Sequence, residues 1–208
     1  LAAMRAAQQT KAKRIVITSS CFSIFVTKDN KKLRFGPEDW SDISVCPPYE
    51  KSKTLAEQAA WKFIEDLPEA ERFELAVINP GMVIGPNLNE VKFQSGDIIK
   101  SFMTGEMPGI PDVHYPAVDV RNVAEAHLQA ILRDEAAGKR FILAHPTPIT
   151  MQLISDSLVE KWGAQYPKIP KNKLRRCLFQ TLGLCDSQAK SVAKDWGKVI
   201  TFDQSLTI

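Results

Sequence analysis

A tyrosine and a lysine four residues apart, Tyr49-Glu50-Lys51-Ser52-Lys53, stand at the head of a segment rich in helix formers. The i, i+4 spacing places the phenol and the ammonium on one helical face. A free phenol titrates near ~10 and is a poor proton donor or acceptor at neutral pH. An ammonium held beside it favours the phenolate, so the pair predicts a Tyr49 pKa below the ordinary value and acid/base work on a carbonyl or alcohol. Ser20, at the end of a short apolar run, offers a second hydroxyl for the same substrate oxygen. Taken alone, Tyr-x-x-x-Lys recurs by chance, and a surface tyrosine opening an ordinary helix satisfies it as well.

The elements that must position these residues are legible from periodicity. Leu1 to Gln9 reads as the end of a helix, and the basic Lys11-Ala12-Lys13-Arg14 stretch suits its C-terminal dipole. Ile15-Val16-Ile17-Thr18 is a β-branched run without polar alternation, the pattern of a strand covered on both faces. Cys21 to Pro48 is irregular, broken by Gly36-Pro37 and Pro47-Pro48. Tyr49 to Asp66 predicts a helix, with Leu55, Ala59 and Phe63 in apolar register and Pro68 beyond its end. A second buried strand, Leu75-Ala76-Val77-Ile78, breaks at Asn79-Pro80-Gly81. Helices fit Gly96 to Met103, Val120 to Arg133 and Thr150 to Trp162, with a strand at Arg140 to Ala144.

This alternation predicts an α/β fold with a parallel sheet. Ligands of such sheets bind beyond the carboxyl ends of the strands, here Ser19-Ser20 and Asn79-Pro80-Gly81. Past about residue 145 the rhythm is lost and prolines become frequent. The composition there predicts a smaller appended lobe that covers one end of the sheet. The chain opens on Leu1 in what reads as mid-helix, so a preceding segment is expected, and a targeting signal there would be invisible.

Composition narrows the function classes. The 208 residues carry 27 Lys and Arg against 24 Asp and Glu, a net charge of +3 without a basic block, so nucleic-acid and membrane-surface roles lack an electrostatic footprint. Leu75 to Asn89 is free of charge but is broken by two prolines and two glycines, which rules it out as a continuous membrane span. Four cysteines (Cys21, Cys46, Cys177, Cys185) without a C-x-x-C pair indicate neither a disulfide scaffold nor a zinc site, and a reducing, cytoplasmic compartment is expected. His114, His127 and His145 lie far apart without companions in ligand spacing, so no metal site is expected. The basic group Lys168, Lys171, Lys173, Arg175 and Arg176 could meet a phosphate, such as an adenosine 2′-phosphate, or an acidic substrate tail, but reads as a solvated loop with a helix start. His127 and Trp61 read as packing residues, and Cys21 as a small buried hydrophobe.

Three segments together resemble the extended short-chain dehydrogenase/reductases, within the NAD-dependent epimerase/dehydratase superfamily. They are Lys13-Arg14-Ile15-Val16-Ile17-Thr18-Ser19-Ser20, Tyr49-Glu50-Lys51-Ser52-Lys53-Thr54-Leu55-Ala56-Glu57-Gln58-Ala59-Ala60-Trp61 and Asn79-Pro80-Gly81-Met82-Val83-Ile84-Gly85-Pro86. The branch most resembled is that of dihydroflavonol 4-reductase and cinnamoyl-CoA reductase, to which Val118-Asp119-Val120-Arg121-Asn122-Val123-Ala124 is also similar. Asn122 departs there from the usual aspartate.

The resemblance implies an NADP(H)-dependent oxidoreductase, with NAD as the other possibility, that interconverts a ketone or aldehyde and its alcohol. By it, Ser20 hydrogen-bonds the substrate oxygen, with Ser19 ranked second. Tyr49 is the general acid of reduction, Lys53 holds the nicotinamide ribose and lowers the Tyr49 pKa, and Pro80 and Val83 line the nicotinamide end. Small carbonyl or alcohol substrates are the implied partners. The family's G-x-x-G-x-x-G phosphate loop does not occur in these 208 residues. The resemblance thus implies the C-terminal two thirds of a longer enzyme, an α/β Rossmann-type parallel sheet with its N-terminal strands missing: 1–145 as a partial nucleotide-binding domain carrying the catalytic residues and 146–208 as a small C-terminal substrate-binding lobe. The rival expectations are an epimerase, dehydratase or 3β-hydroxysteroid dehydrogenase using the same residues, or a non-catalytic product unable to hold the dinucleotide.

Overall fold

A computed structural model describes residues 1–88, 94–177 and 195–207. In chain order it has α1 (Ala2–Gln9), β1 (Arg14–Thr18), β2 (Arg34–Phe35), α2 (Pro48–Asp66), β3 (Glu74–Pro80), β4 (Met82–Ile84) and α3 (Gln94–Thr104). Then come β5 (His114–Tyr115), β6 (Ala117–Asp119), α4 (Val120–Leu132), β7 (Arg140–Leu143), β8 (Ile149–Thr150), α5 (Met151–Trp162) and β9 (Thr201–Phe202). The helices and main strands expected from periodicity are all present. Cys185 and the 178–194 part of the expected lobe lie outside the described residues.

The sheet that carries the site is parallel, in the order β1-β3-β7. Its register runs from Arg14↔Glu74 to Thr18↔Ile78 and from Val77↔Arg140 to Pro80↔Leu143. β3 is central and fully buried beyond Glu74, whereas Arg14 to Ile17 of β1 are only partly buried and Thr18 is exposed. Alternation sorts the side chains onto two faces. Leu75 and Val77, with Ile15 and Ile17, pack under Met4 and Ala7 of α1 and Ala60 of α2. Ala76, Ile78 and Val16 pack under Ala126 and Ala130 of α4. This two-faced burial is why the strands read as unbroken apolar runs.

Helix ends follow ordinary rules. Pro48 occupies the first turn of α2, where a missing N–H costs nothing. Asp119 caps α4 by accepting the Arg121 N–H at 2.8 Å, and Thr150 caps α5 by accepting from Leu153 at 2.9 Å. Arg14 of β1 donates to the carbonyls of Ala130, Ile131 and Arg133, so a strand side chain satisfies the C-terminal end of α4.

The chain forms two compact units, and their boundaries differ from a single cut after residue 145. The first holds Leu1–Gly85, Ala117–Ala144 and Thr201–Ile208; the second holds Pro86–Pro116 and His145–Ile200. The reason lies in short pairings that periodicity does not reveal. β4 pairs with β6 in parallel, so the segment between them must cross over, and it builds the second unit on the way. β9 returns to pair with β2 of the first unit. Gly85 makes the exit, with φ at +134° and the place of a Cβ only 2.8 Å from Val120 Cγ1, so only glycine fits. The second unit has its own core, Phe102 and Ile110 against Met151, Leu158 and Ile169, beside the antiparallel β5–β8 pair.

Candidate active site

β1 ends at Thr18, but the chain stays fastened to β3 one residue further, because the Ser19 N–H donates to the Ile78 carbonyl at 2.7 Å. Ser20 follows in extended conformation and opens a single 3₁₀ turn over Cys21–Ser23. Its Oγ accepts the Phe22 N–H at 3.2 Å, the usual service of a serine at such a position. The Phe22 ring in turn meets the Tyr49 ring edge-on, with centroids 5.9 Å apart. Lys53 Nζ lies 5.8 Å from the centroid of the same tyrosine. Phe22 thus links the two segments: its N–H meets Ser20 and its ring meets Tyr49, whose ring Lys53 approaches from the next turn of α2.

Pro80 closes β3, buried, opposite Leu143 of β7, and the Gly81 N–H donates to the Leu143 carbonyl at 2.9 Å. Val83 is partly buried in β4, opposite Val118 of β6. Both stand where the chain leaves the carboxyl end of the sheet.

The Tyr49 phenol corrects one expectation. Its pKa is raised, not lowered: burial pushes it up most, and the neighbouring Cys21 and Glu50 act in the same direction. The Lys53 charge stands off the ring, on the order of a helical turn from Tyr49, too far to outweigh the desolvation. Tyr49 therefore keeps its proton at neutral pH. Cys21 is no nucleophile, since complete burial pushes its thiol up to about 12 despite a hydrogen bond with Ser20.

Behind these residues lies a buried polar cluster that sequence reasoning missed. Glu57, two turns beyond Tyr49 on α2, is 1% exposed and Arg140 of β7 is 7% exposed. Arg140 Nε donates to Glu57 Oε1 at 2.6 Å. Glu57 Oε2 receives the Ser19 hydroxyl, Ser23 Oγ at 2.6 Å and Asn79 Nδ2 at 2.8 Å. Arg140 also donates to the carbonyls of Pro37 and Asp39 and stacks over Trp40, 3.9 Å from the ring centroid. The available signal was position: Glu57 continues the i, i+4, i+8 line of Tyr49 and Lys53. Ser19 is committed to this cluster, which separates it from Ser20.

The remaining candidates take ordinary places. His127 Nδ1 meets the Val123 carbonyl at 2.8 Å and its Nε2 meets Thr18 Oγ1 at 2.7 Å. Trp61 packs against the α1–α2 face of the sheet, and the 168–176 lysines and arginines are exposed on the second unit. Among the described residues, no three His, Cys, Asp or Glu are grouped to hold a metal ion, and no helix is long and apolar enough to cross a membrane. A cavity of ≈ 410 Å³ on the first unit, lined by Ala126 of α4, Arg133 just beyond it, Phe141 and Thr207 among others, includes none of the expected site residues.

A parallel sheet in the order β1-β3-β7 covered by helices on both faces defines a class, the Rossmann-type α/β fold of reductases. The 3-beta hydroxysteroid dehydrogenase/isomerase family matches residues 2–174, and the chain belongs to that family. Its relatives include the NADPH-dependent methylglyoxal reductase GRE2 of Saccharomyces cerevisiae, 35% identical over 77% of this chain and 51% of the yeast protein. Cinnamoyl-CoA reductase CAD2 of Medicago truncatula is 31% identical over 86% of this chain and 57% of its own length. The crystal structure of yeast methylglyoxal/isovaleraldehyde reductase Gre2 complexed with NADPH superposes with a TM-score of 0.74, at 29% identity, over 99% of this chain and 60% of that one. The chain spans about half the length of the curated relatives it matches.

Proposed function

We propose that this protein is an NADP(H)-dependent oxidoreductase that interconverts a small aldehyde or ketone and its alcohol. The observation that carries the reading is the run of contacts at the carboxyl end of β1, from Ser20 Oγ through the Phe22 N–H and ring to the Tyr49 ring, with Lys53 Nζ 5.8 Å from that ring's centroid. Relatives named as NADPH-dependent reductases support the choice of cofactor and of carbonyl substrates.

The residues present fit the nicotinamide end of such a cofactor. Lys53 is partly buried on the face of α2 that carries Tyr49, so its ammonium is placed to hold a ribose hydroxyl, while Pro80 and Val83 offer apolar surface where the strands end. The sequence contains no glycine-rich phosphate loop, so the pyrophosphate finds no such cradle in these residues. A bound reduced nicotinamide supplies hydride to the carbonyl carbon. Tyr49, kept protonated by its half-buried setting, gives its phenolic proton to the oxygen as negative charge develops there. Ser20 orients and polarises that oxygen through its hydroxyl, whose rotamer is set by the Phe22 N–H. In the oxidising direction the same phenol must first ionise.

The test is steady-state NADPH consumption by the full-length protein with a panel of small aldehydes, ketones and a 3-hydroxysteroid, for wild type and Tyr49→Phe. A wild type active on a small carbonyl, with a folded Tyr49→Phe variant that is nearly inactive, is expected. An active Tyr49→Phe enzyme removes the assignment of Tyr49, and absence of turnover across the panel removes the reading as a reductase.

A further inference from the structure

Glu57 is an unusual carboxylate: it is on a helix, almost fully buried, and every neighbour that touches it is a donor. Ser19 Oγ, Ser23 Oγ and Asn79 Nδ2 meet one oxygen and Arg140 Nε the other. An ionised carboxylate accepts at about four lone-pair positions and donates nothing, which matches this shell. An amide in its place must turn its NH₂ toward either the arginine or the serines.

The same donors also hold the backbone of Ser20. Its carbonyl lies 2.7 Å from Ser23 Oγ and 3.2 Å from Asn79 Nδ2. Ser23 has one hydroxyl proton, poised between the Ser20 carbonyl and Glu57 at 2.6 Å, while Asn79 divides two protons among Ser20, Ser23 and Glu57. Ser19, the residue before, is tied to Glu57 directly. The 19–23 turn is therefore fastened on both sides of Ser20 to one point on α2, the helix that also carries Tyr49 at its first turn.

We propose that Glu57, held by Arg140, is a positioning residue that fixes the Ser20 hydroxyl relative to the Tyr49 phenol. The proposal rests on the reading of Ser20 and Tyr49 given above and deepens it. Glu57 does not touch substrate; it acts through Ser20. Arg140 fixes the other oxygen of the carboxylate and ties it to the 37–40 loop through the Pro37 and Asp39 carbonyls at 2.7 and 2.6 Å. A small rotation of the turn would carry the Ser20 Oγ away from the reacting oxygen, and misplacement on the order of an ångström costs up to about a hundredfold in rate.

The experiment is a double-mutant cycle on kcat in the full-length protein, with Glu57→Gln and Ser20→Ala singly and together. Glu57→Gln should lower kcat by about tenfold or more while the KM for NADPH stays within about twofold, because Lys53 is untouched. In the Ser20→Ala background the same change should cost less than about twofold, since the group it positions is gone. Equal losses in both backgrounds, or a Glu57→Gln enzyme with wild-type kcat, would overturn the proposal. A Ser20→Ala enzyme at the wild-type rate would instead remove the reading of Ser20 on which it rests. If Glu57→Gln does not fold, Arg140→Lys, which keeps the charge and loses the fork, enters the same cycle. A several-fold loss of kcat that vanishes in Ser20→Ala is expected, and the same loss in both backgrounds is the contrary result.

Discussion

The two halves of α2 do opposite work with charged and polar residues. At its first turn Tyr49 is 43% exposed, and Lys53 reaches over its ring from the next turn. One turn further in, Glu57 is shut away from water and fully hydrogen-bonded. A polar group that must meet a ligand keeps an open side and a shifted proton affinity. One that must stay still is surrounded by partners that leave it no alternative. The helix joins the two, so immobility at one end is delivered to the other through a rigid rod about 12 Å long, eight residues at 1.5 Å each.

The largest effect that would break this contrast is on turnover. Tyr49→Phe keeps the ring that packs on Phe22 and should lower kcat by about two to four orders of magnitude, with an unchanged circular dichroism spectrum. Arg140→Met strikes the closed half instead. It leaves the Glu57 carboxylate buried without its cation, and denaturant unfolding should show a loss of about 3–5 kcal/mol, well beyond that of Tyr49→Phe.

A titration sharpens the comparison next. Because burial raises the Tyr49 pKa, alcohol oxidation should climb with pH along a limb lying above the ordinary phenol value. The sign for stability follows: the raised folded pKa favours the native state below the unfolded value near ~10, and that contribution is lost as pH rises through the higher folded value. Lys53→Met removes the nearby cation and should move the limb further upward, since an ammonium favours the phenolate, but by less than the shift that burial produces. The smallest effect belongs to the far end of α2, where Lys62 and Asp66 pair at 2.9 Å in open solvent. Lys62→Ala should leave the thermal unfolding midpoint within about 2 °C of the wild type, because an exposed pair is screened by solvent.

What the sequence discloses follows the same division. The open half of α2 was readable because Tyr49 and Lys53 differ from what an amphipathic surface requires. β1 and β3 were readable because burial on both faces leaves no polar residue in Ile15–Ile17 or Leu75–Ile78. Glu57 was not, since a glutamate in mid-helix is the commonest of surface residues and only its distant partners bury it. Arg140 is 83 residues away and begins a strand, where an arginine ordinarily faces water. Three-residue strands such as Met82–Ile84 were hidden among Gly81, Gly85 and Pro86, and with them the interleaving of the two units. The direction of the Tyr49 shift was misjudged because spacing fixes which residues share a face, and not where an ammonium stops relative to an oxygen.

The parallel order β1-β3-β7 carries a kinetic consequence. Arg14 pairs with Glu74 and Val77 with Arg140, so no two neighbours in the sheet are close in sequence. Each pairing must close a loop of about 60 residues, an entropic charge of about 3–4 kcal/mol before contacts repay it. Such topologies fold slowly and pass through exposed edges. An assembly of β1, α2 and β3 alone would carry Glu57 inward without its guanidinium, a penalty that disfavours stopping there. The strand that docks last in sequence order thus brings the cation for the buried carboxylate, and Glu57 is paired only once β7 is in place.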